Sequence, residues 1–139
     1  MATFQKFNQF VEDLAKGVHN LSTGQLKVAL TNTAPVAANS VYADLTSVLP
    51  TTNLSGATPF NVTTTSAEQT SGTLSLVLVD LTLTATGSVG PFRYVALYND
   101  TPTSPADPLI LFYDYGSSIT LANTETFLID FASTTLTIV

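Results

Sequence analysis

A chain of 139 residues with no cysteine, four Lys and Arg against ten Asp and Glu, and a formal net charge of −6 is long enough for one buried core and short for two. The missing thiols exclude disulfides, thiolate metal sites and cysteine nucleophiles, and so few cations give a track of phosphates little to hold, so no nucleic-acid partner is expected. Only 10% of the residues are charged and mean hydropathy is +0.31, against about 25% charged in an ordinary soluble domain, which predicts a surface covered by neighbours or made polar by Thr, Ser and Asn.

The opening residues hold Glu12 and Asp13 and lack the apolar run and small-residue cleavage site of a signal peptide, which predicts synthesis and retention in the cytoplasm until assembly. No apolar run approaches the roughly 20 residues of a membrane-spanning helix, so no membrane partner is expected. Phe4, Phe7, Phe10, Val11, Leu14 and Val18 fall at three-to-four spacing and predict an amphipathic helix, with Thr3 able to cap its start and Gly17 to end it in the left-handed conformation. Its apolar face packs either on the sheet of its own domain or on a partner subunit, which makes Phe4, Phe7, Phe10 and Leu14 interface candidates.

From Leu26 the period changes to two: Leu26, Val28 and Leu30 share one face and Lys27, Ala29 and Thr31 the other, predicting a strand with one wet face that Asn32 and Pro35 bring to an end. Residues 36–71 form a long excursion rich in Ala, Thr, Ser and Asn, with a helical turn expected near 44–48 and a strand near 60–65. In 73–86, Leu74, Leu76 and Leu78 keep one parity and Leu81, Leu83 and Ala85 the other. Either a bulge near Val79 and Asp80 keeps all six on the core side, or the strand is buried on both faces.

After a turn at 87–91, a strand over 92–98 carries Phe92, Tyr94 and Tyr98 on one parity and Val95 and Leu97 on the other. Pro102, Pro105 and Pro108 mark a loop. Strands at 109–115, 119–121, 127–131 and 136–139 follow, with a hairpin through Ala122, Asn123 and Thr124. The sum is a mainly β single domain over 1–139, an antiparallel β-sandwich or jelly roll with one N-terminal amphipathic α-helix. Residues 1–20 form the helix and its connection, and 25–139 the sandwich.

No pattern in the chain marks a catalytic, cofactor or metal site. His19 stands alone and far from any nucleophile, suited to capping or packing. The carboxylates show no spacing that marks an acid–base pair, although Asp100, Asp107 and Asp114 around the Pro-rich loop are either solvated or able to gather a calcium ion. Gly72, Gly87, Gly90 and Gly116 stand at turns and form no phosphate loop. Arg93, the only arginine, lies between Phe92 and Tyr94, placed either to stack on an aromatic ring or to pair with a neighbour's carboxylate, or else simply exposed. Together with Tyr94 and Tyr98 it completes the interface candidates, and the chain is expected not to be an enzyme.

Four segments, FQKFNQFVEDLAKGVHNL, LKVALTNTAPVA, GPFRYVALYNDT and YGSSITLANTETFLIDF, give the chain a resemblance to a family of small virion proteins of tailed bacteriophages. It departs from that family in 42–71 and at 122–124, where members carry a Gly-rich segment and an Asp-Gly turn. The resemblance implies a structural protein in the virion, without catalytic residues or cofactor. Joined to the low charge and the β pattern, it leads to a capsid decoration or cement protein that binds and stabilises the icosahedral shell. Its partners would then be the major capsid protein and copies of itself, as a trimer, with no small-molecule substrate. The alternative is a tail-associated receptor-binding (adsorption) protein, in which Tyr and Asn residues at 98–101 contact glycans; a glycan-cleaving enzyme ranks below both because no acid pair stands out.

Overall fold

The structure, a computed structural model, describes residues 4–132 and 134–138. In chain order the described elements are β1 (Phe4–Lys6), α1 (Asn8–Ala15), β2 (Leu26–Thr31), β3 (Asn61–Val62), β4 (Thr64–Thr70), β5 (Thr73–Leu78), β6 (Leu81–Thr84), β7 (Val89–Asn99), β8 (Leu109–Leu121), β9 (Thr126–Ile129) and β10 (Leu136–Ile138). The strands pair antiparallel in two layers. One is a five-stranded sheet in the order β1-β8-β7-β2-β3; the other holds β10-β5-β4 and the pair β6-β9.

The layers meet through their apolar parities. Val28 and Leu30 of β2, Val95 and Leu97 of β7, and Leu111 and Tyr113 of β8 share one core with Leu76, Leu78, Leu83, Phe127, Ile129, Phe131 and Leu136 of the second layer. Burying a Leu or Phe side chain in such a core contributes roughly 1.5–3 kcal/mol. The parity switch in 73–86 is neither a bulge within one strand nor a strand buried on both faces: the chain breaks at 79–80 into β5 and β6, which pair in different sheets. Leu76, Leu78, Leu83 and Ala85 are buried, Leu74 and Leu81 pack against them, and Val79 turns out to solvent. Asp80 holds the break by accepting the Phe131 N–H at 2.9 Å. Between β4 and β5, Ser71 (φ 51°) and Gly72 (φ 84°) both take the left-handed conformation that a two-residue hairpin turn demands.

Four further expectations need correction. The first three residues of the expected helical stripe are a strand, because Phe4, Gln5 and Lys6 complete a backbone ladder with Tyr113, Phe112 and Leu111 of β8. The helix starts only after Phe7, which is extended and offers no side-chain cap; Thr3, the expected cap, lies outside the described residues. At eight residues α1 is too short to stand alone in water. It is held by Phe10 in the core and closed by Gly17 (φ 75°), whose N–H donates to Leu14 O at 3.2 Å while the Val18 N–H donates to Asp13 O at 2.9 Å.

The second correction concerns β2, which has no wet face along most of its length. Phe7, Tyr42, Leu45 and Val48 lie over Ala29, Ala96, Tyr98, Leu109 and Phe112, so the outer side of the five-stranded sheet carries a second, smaller apolar cluster. The excursion makes this possible by folding back along the edge of β2, where the Leu49 N–H donates to Leu30 O at 2.8 Å. Third, the turn at 122–124 forms, with Thr124 at φ 75° and the Glu125 N–H on Ala122 O, but it does not close a hairpin. It carries the chain from β8 in one layer to β9 in the other, because β9 pairs with β6. Fourth, the two strands expected at 109–115 and 119–121 are one, with Gly116 at φ 99° inside β8. The helical turn expected at 44–48 sits slightly earlier, at Tyr42–Asp44, and the strand expected at 60–65 is divided between β3 and β4. Val139 of the last expected strand lies outside the described residues.

Candidate interaction sites

The outer face of the five-stranded sheet carries a row of polar side chains at one end. Register places Asn61 of β3 beside Lys27 of β2, and Lys27 beside Tyr98 of β7, so all three share one line across the strands on the same face. This row floors a cleft of about 240 Å³ whose walls come from the excursion: Tyr42, Leu49 to Thr51, and Ala57 to Phe60. The ring of Tyr42 lies 4.9 Å from that of Tyr98 at an angle of 51°.

Local structure fixes each wall. Tyr42 begins a single turn, Tyr42–Asp44, whose Asp44 carboxylate accepts the Ser40 N–H at 2.8 Å and the Val41 N–H at 3.2 Å. These two bonds hold the Asp44 carboxyl below its ordinary range. The Tyr42 N–H in turn donates to Asp107 O at 2.9 Å, which ties the turn to the Pro-rich loop. Lys27 pairs with Asp100 at 2.9 Å. Burial, and after it the neighbouring Asp100, pushes the Asp107 carboxyl up. Burial also raises the phenol of Tyr98, followed by Tyr42 and the two acids, and raises that of Tyr42, followed by Asp107. Both hydroxyls therefore stay protonated at neutral pH and are able to donate as well as accept a hydrogen bond.

The sequence-derived candidates separate into different places. Phe7 and Phe10 are 0% exposed inside the chain itself, Phe7 against Phe112 at 5.0 Å on the outer side and Phe10 in the inter-sheet core, so neither is available to a partner. This corrects their candidacy as interface residues. Phe4 and Leu14 are half-buried and pack against the same core, which leaves only their outer atoms for any contact. The exposed apolar residue of the helix is Val11. Tyr98 forms part of the cleft.

Arg93 and Tyr94 stay together on the sheet surface. The guanidinium grips Asp114 with two bonds, Nε to Oδ1 at 2.7 Å and Nη2 to Oδ2 at 3.0 Å, and lies 5.4 Å from the Tyr94 ring centroid. The carboxylate belongs to this chain, and Arg93 holds its pKa down, helped by the Gly116 N–H. Asp114 is thus committed to Arg93, while Asp100 is committed to Lys27. Of the three acids around the Pro-rich loop, Asp100 and Asp107 are neighbours while Asp114 is held by Arg93, and no cluster of three or more metal-ligating side chains occurs among the described residues.

His19 occupies the seam between α1 and the sandwich. Its ring meets Phe10 edge-on at 5.1 Å, Nδ1 lies 3.3 Å from the Asn99 side-chain amide, and burial lowers its pKa against the pull of Asp13. A neutral, packed histidine results, as its isolation in the sequence suggested. Sequence reasoning missed Lys27, Tyr42 and Asn61, because their alignment with Tyr98 depends on strand register and on where the excursion returns. An aromatic residue in an otherwise Ala-, Ser- and Thr-rich excursion was the available signal for Tyr42. No protein-family model, curated protein or solved structure matches the chain.

Proposed function

We propose that the protein is a non-enzymatic structural component of a tailed-bacteriophage virion, a decoration or cement protein that binds the assembled shell and bridges its subunits. The observation that carries this reading is the closure of the core within one chain: the inner face of the five-stranded sheet and much of its outer face are covered by the chain's own residues. A domain complete in itself can fold first and then dock on a finished lattice, as a decoration protein must. Its sparse charge leaves a Thr- and Ser-rich exterior that neighbouring copies can cover while desolvating few ions, which suits symmetric packing on the shell, as a trimer.

A ligand that binds the assembled lattice and not its free subunits stabilises the lattice. Particles assembled without the protein are therefore expected to have normal geometry and to release their genome at lower temperature, with adsorption to cells unchanged. Loss of adsorption with heat resistance intact would replace this reading with that of a tail adsorption protein, which the Tyr42–Tyr98 cleft favours. Counting copies per particle separates the two independently, because a shell needs far more copies than a tail tip.

A further inference from the structure

We infer that the cleft above Asn61, Lys27 and Tyr98 binds one neutral sugar ring of a glycan and does not cleave it. Size sets the first limit: at about 240 Å³ the cleft lies below the roughly 300–1,000 Å³ of sites for drug-sized ligands and holds a single small ring. Its walls then select the chemistry. Tyr42, Pro50 and Pro59 give the lining apolar surface against which the C–H side of a pyranose packs, and Tyr98, packed against the Tyr42 ring, adds a second phenol.

The floor matches the other side of such a ring. Sugar hydroxyls donate and accept at once, and the Asn61 amide, the Lys27 ammonium and two phenols that remain protonated supply both roles. Tyr98 is only 9% exposed and lines the cleft, so its ring is fixed by the packing around it.

Charge excludes the neighbouring classes of ligand. Lys27 is paired with Asp100 at 2.9 Å, so the cleft presents a compensated ion pair and no free charge that would call for an anion or a cation. The described residues lining the cleft include no carboxylic acid, which removes the acid pair that glycosidic cleavage requires. The cleft is also preformed: Lys27 is held by Asp100, and Tyr42 by the backbone of Asp107. Preorganisation of this kind removes part of the ordering cost of binding.

The proposal concerns the isolated protein, so its outcome and that of the particle experiments are independent. The test is a titration of the full chain, followed by amide NMR, with glucose, galactose, N-acetylglucosamine, glucuronate and tetramethylammonium, and with short oligomers of any sugar that binds. A neutral sugar is expected to shift Lys27, Asn61 and Tyr98 saturably. Tyr42→Ala is expected to weaken that binding about tenfold, or about 1.4 kcal/mol, in a protein that stays folded although its melting temperature falls. Should that variant unfold, Asn61→Ala serves in its place with the same expected loss. The proposal is overturned if no neutral sugar shifts these residues, if only glucuronate or tetramethylammonium does, or if binding survives unchanged in a folded variant.

Discussion

The two faces of the five-stranded sheet are covered in different ways. The inner face meets another sheet, so regular parities interlock around an apolar cluster: Val28, Leu30, Val95 and Leu97 with Leu76, Leu83, Phe127 and Leu136. The outer face meets irregular chain, Phe7 and the excursion with Tyr42, Leu45 and Val48, and its cover stops short where Asn61, Lys27 and Tyr98 line up. A sheet-on-sheet interface fills its own gaps. A loop laid over a sheet leaves some, and the polar side chains of this sheet stand in one of them. Stability should therefore reside mainly inside, and recognition outside.

The largest effect expected tests the inner side. Phe10→Ala removes a ring that is 0% exposed in the inter-sheet core and also strips His19 of its edge-on contact. It should cost about 3–5 kcal/mol in denaturant unfolding. On the outer side Phe7→Ala should cost about 3 kcal/mol, the low end for a buried Phe, because the loops above it can settle into the space. An outer loss that equals or exceeds the inner one would break the comparison. It would make the excursion as integral to the core as the second layer.

A smaller effect probes how the excursion is fastened. The Thr31 hydroxyl donates to Thr46 O at 2.6 Å and accepts the Thr33 N–H at 3.0 Å, tying the end of β2 to the returning chain. Thr31→Val keeps the shape and should cost about 1 kcal/mol. If the excursion is held chiefly by these bonds, hydrogen exchange at 45–49 should quicken in the variant while β5 and β6 stay protected.

The pH dependence samples the seam instead of either face. Burial puts the folded His19 pKa below its ordinary 6.5, so the unfolded chain takes up a proton before the folded one does. Stability contributed by the neutral ring is present above pH 6.5 and falls as the pH drops from there toward the folded pKa, where the loss levels off. His19→Gln should flatten that part of the stability profile. A profile identical in the variant would mean that His19 is solvated in solution.

Much of this arrangement was legible in the sequence, and the reasons for the rest are physical. The alternation in 26–31 located a strand because side-chain direction follows sequence locally, while the parity switch at 79–80 marked an irregularity without showing that the chain there leaves one sheet for another. Phe4 misled because three-to-four spacing over a few residues is satisfied equally by a short strand followed by a helix, and the choice was made by the free edge of β8, a partner more than a hundred residues away. The turn at 122–124 was recognisable, but which strand it led to was not, since turn residues fix geometry and leave pairing to the rest of the fold. The outer cluster stayed hidden for the same reason. Ala29, Ala96 and Phe112 look unremarkable until the register sets them side by side.

The smallest stability effect belongs to Arg93, and its smallness is what makes it useful. The guanidinium forks Asp114 and rests by the Tyr94 ring, yet the side chains of both charged partners are more than a third exposed, 38% and 37%. Water and salt screen such a pair, and two flexible side chains lose freedom in holding it, so surface bridges of this sort add little to folding. Arg93→Ala should therefore leave the melting temperature and its salt dependence nearly unchanged. A planar cation stacked beside a tyrosine is nonetheless a common anchor at protein interfaces, where desolvation by a partner strengthens both interactions. If this surface docks on the shell, the same substitution should lower the number of copies retained per particle after washing in moderate salt. Wild-type retention would move the docking surface elsewhere, with the exposed Val11, Tyr115 and Leu128 as the next residues to change.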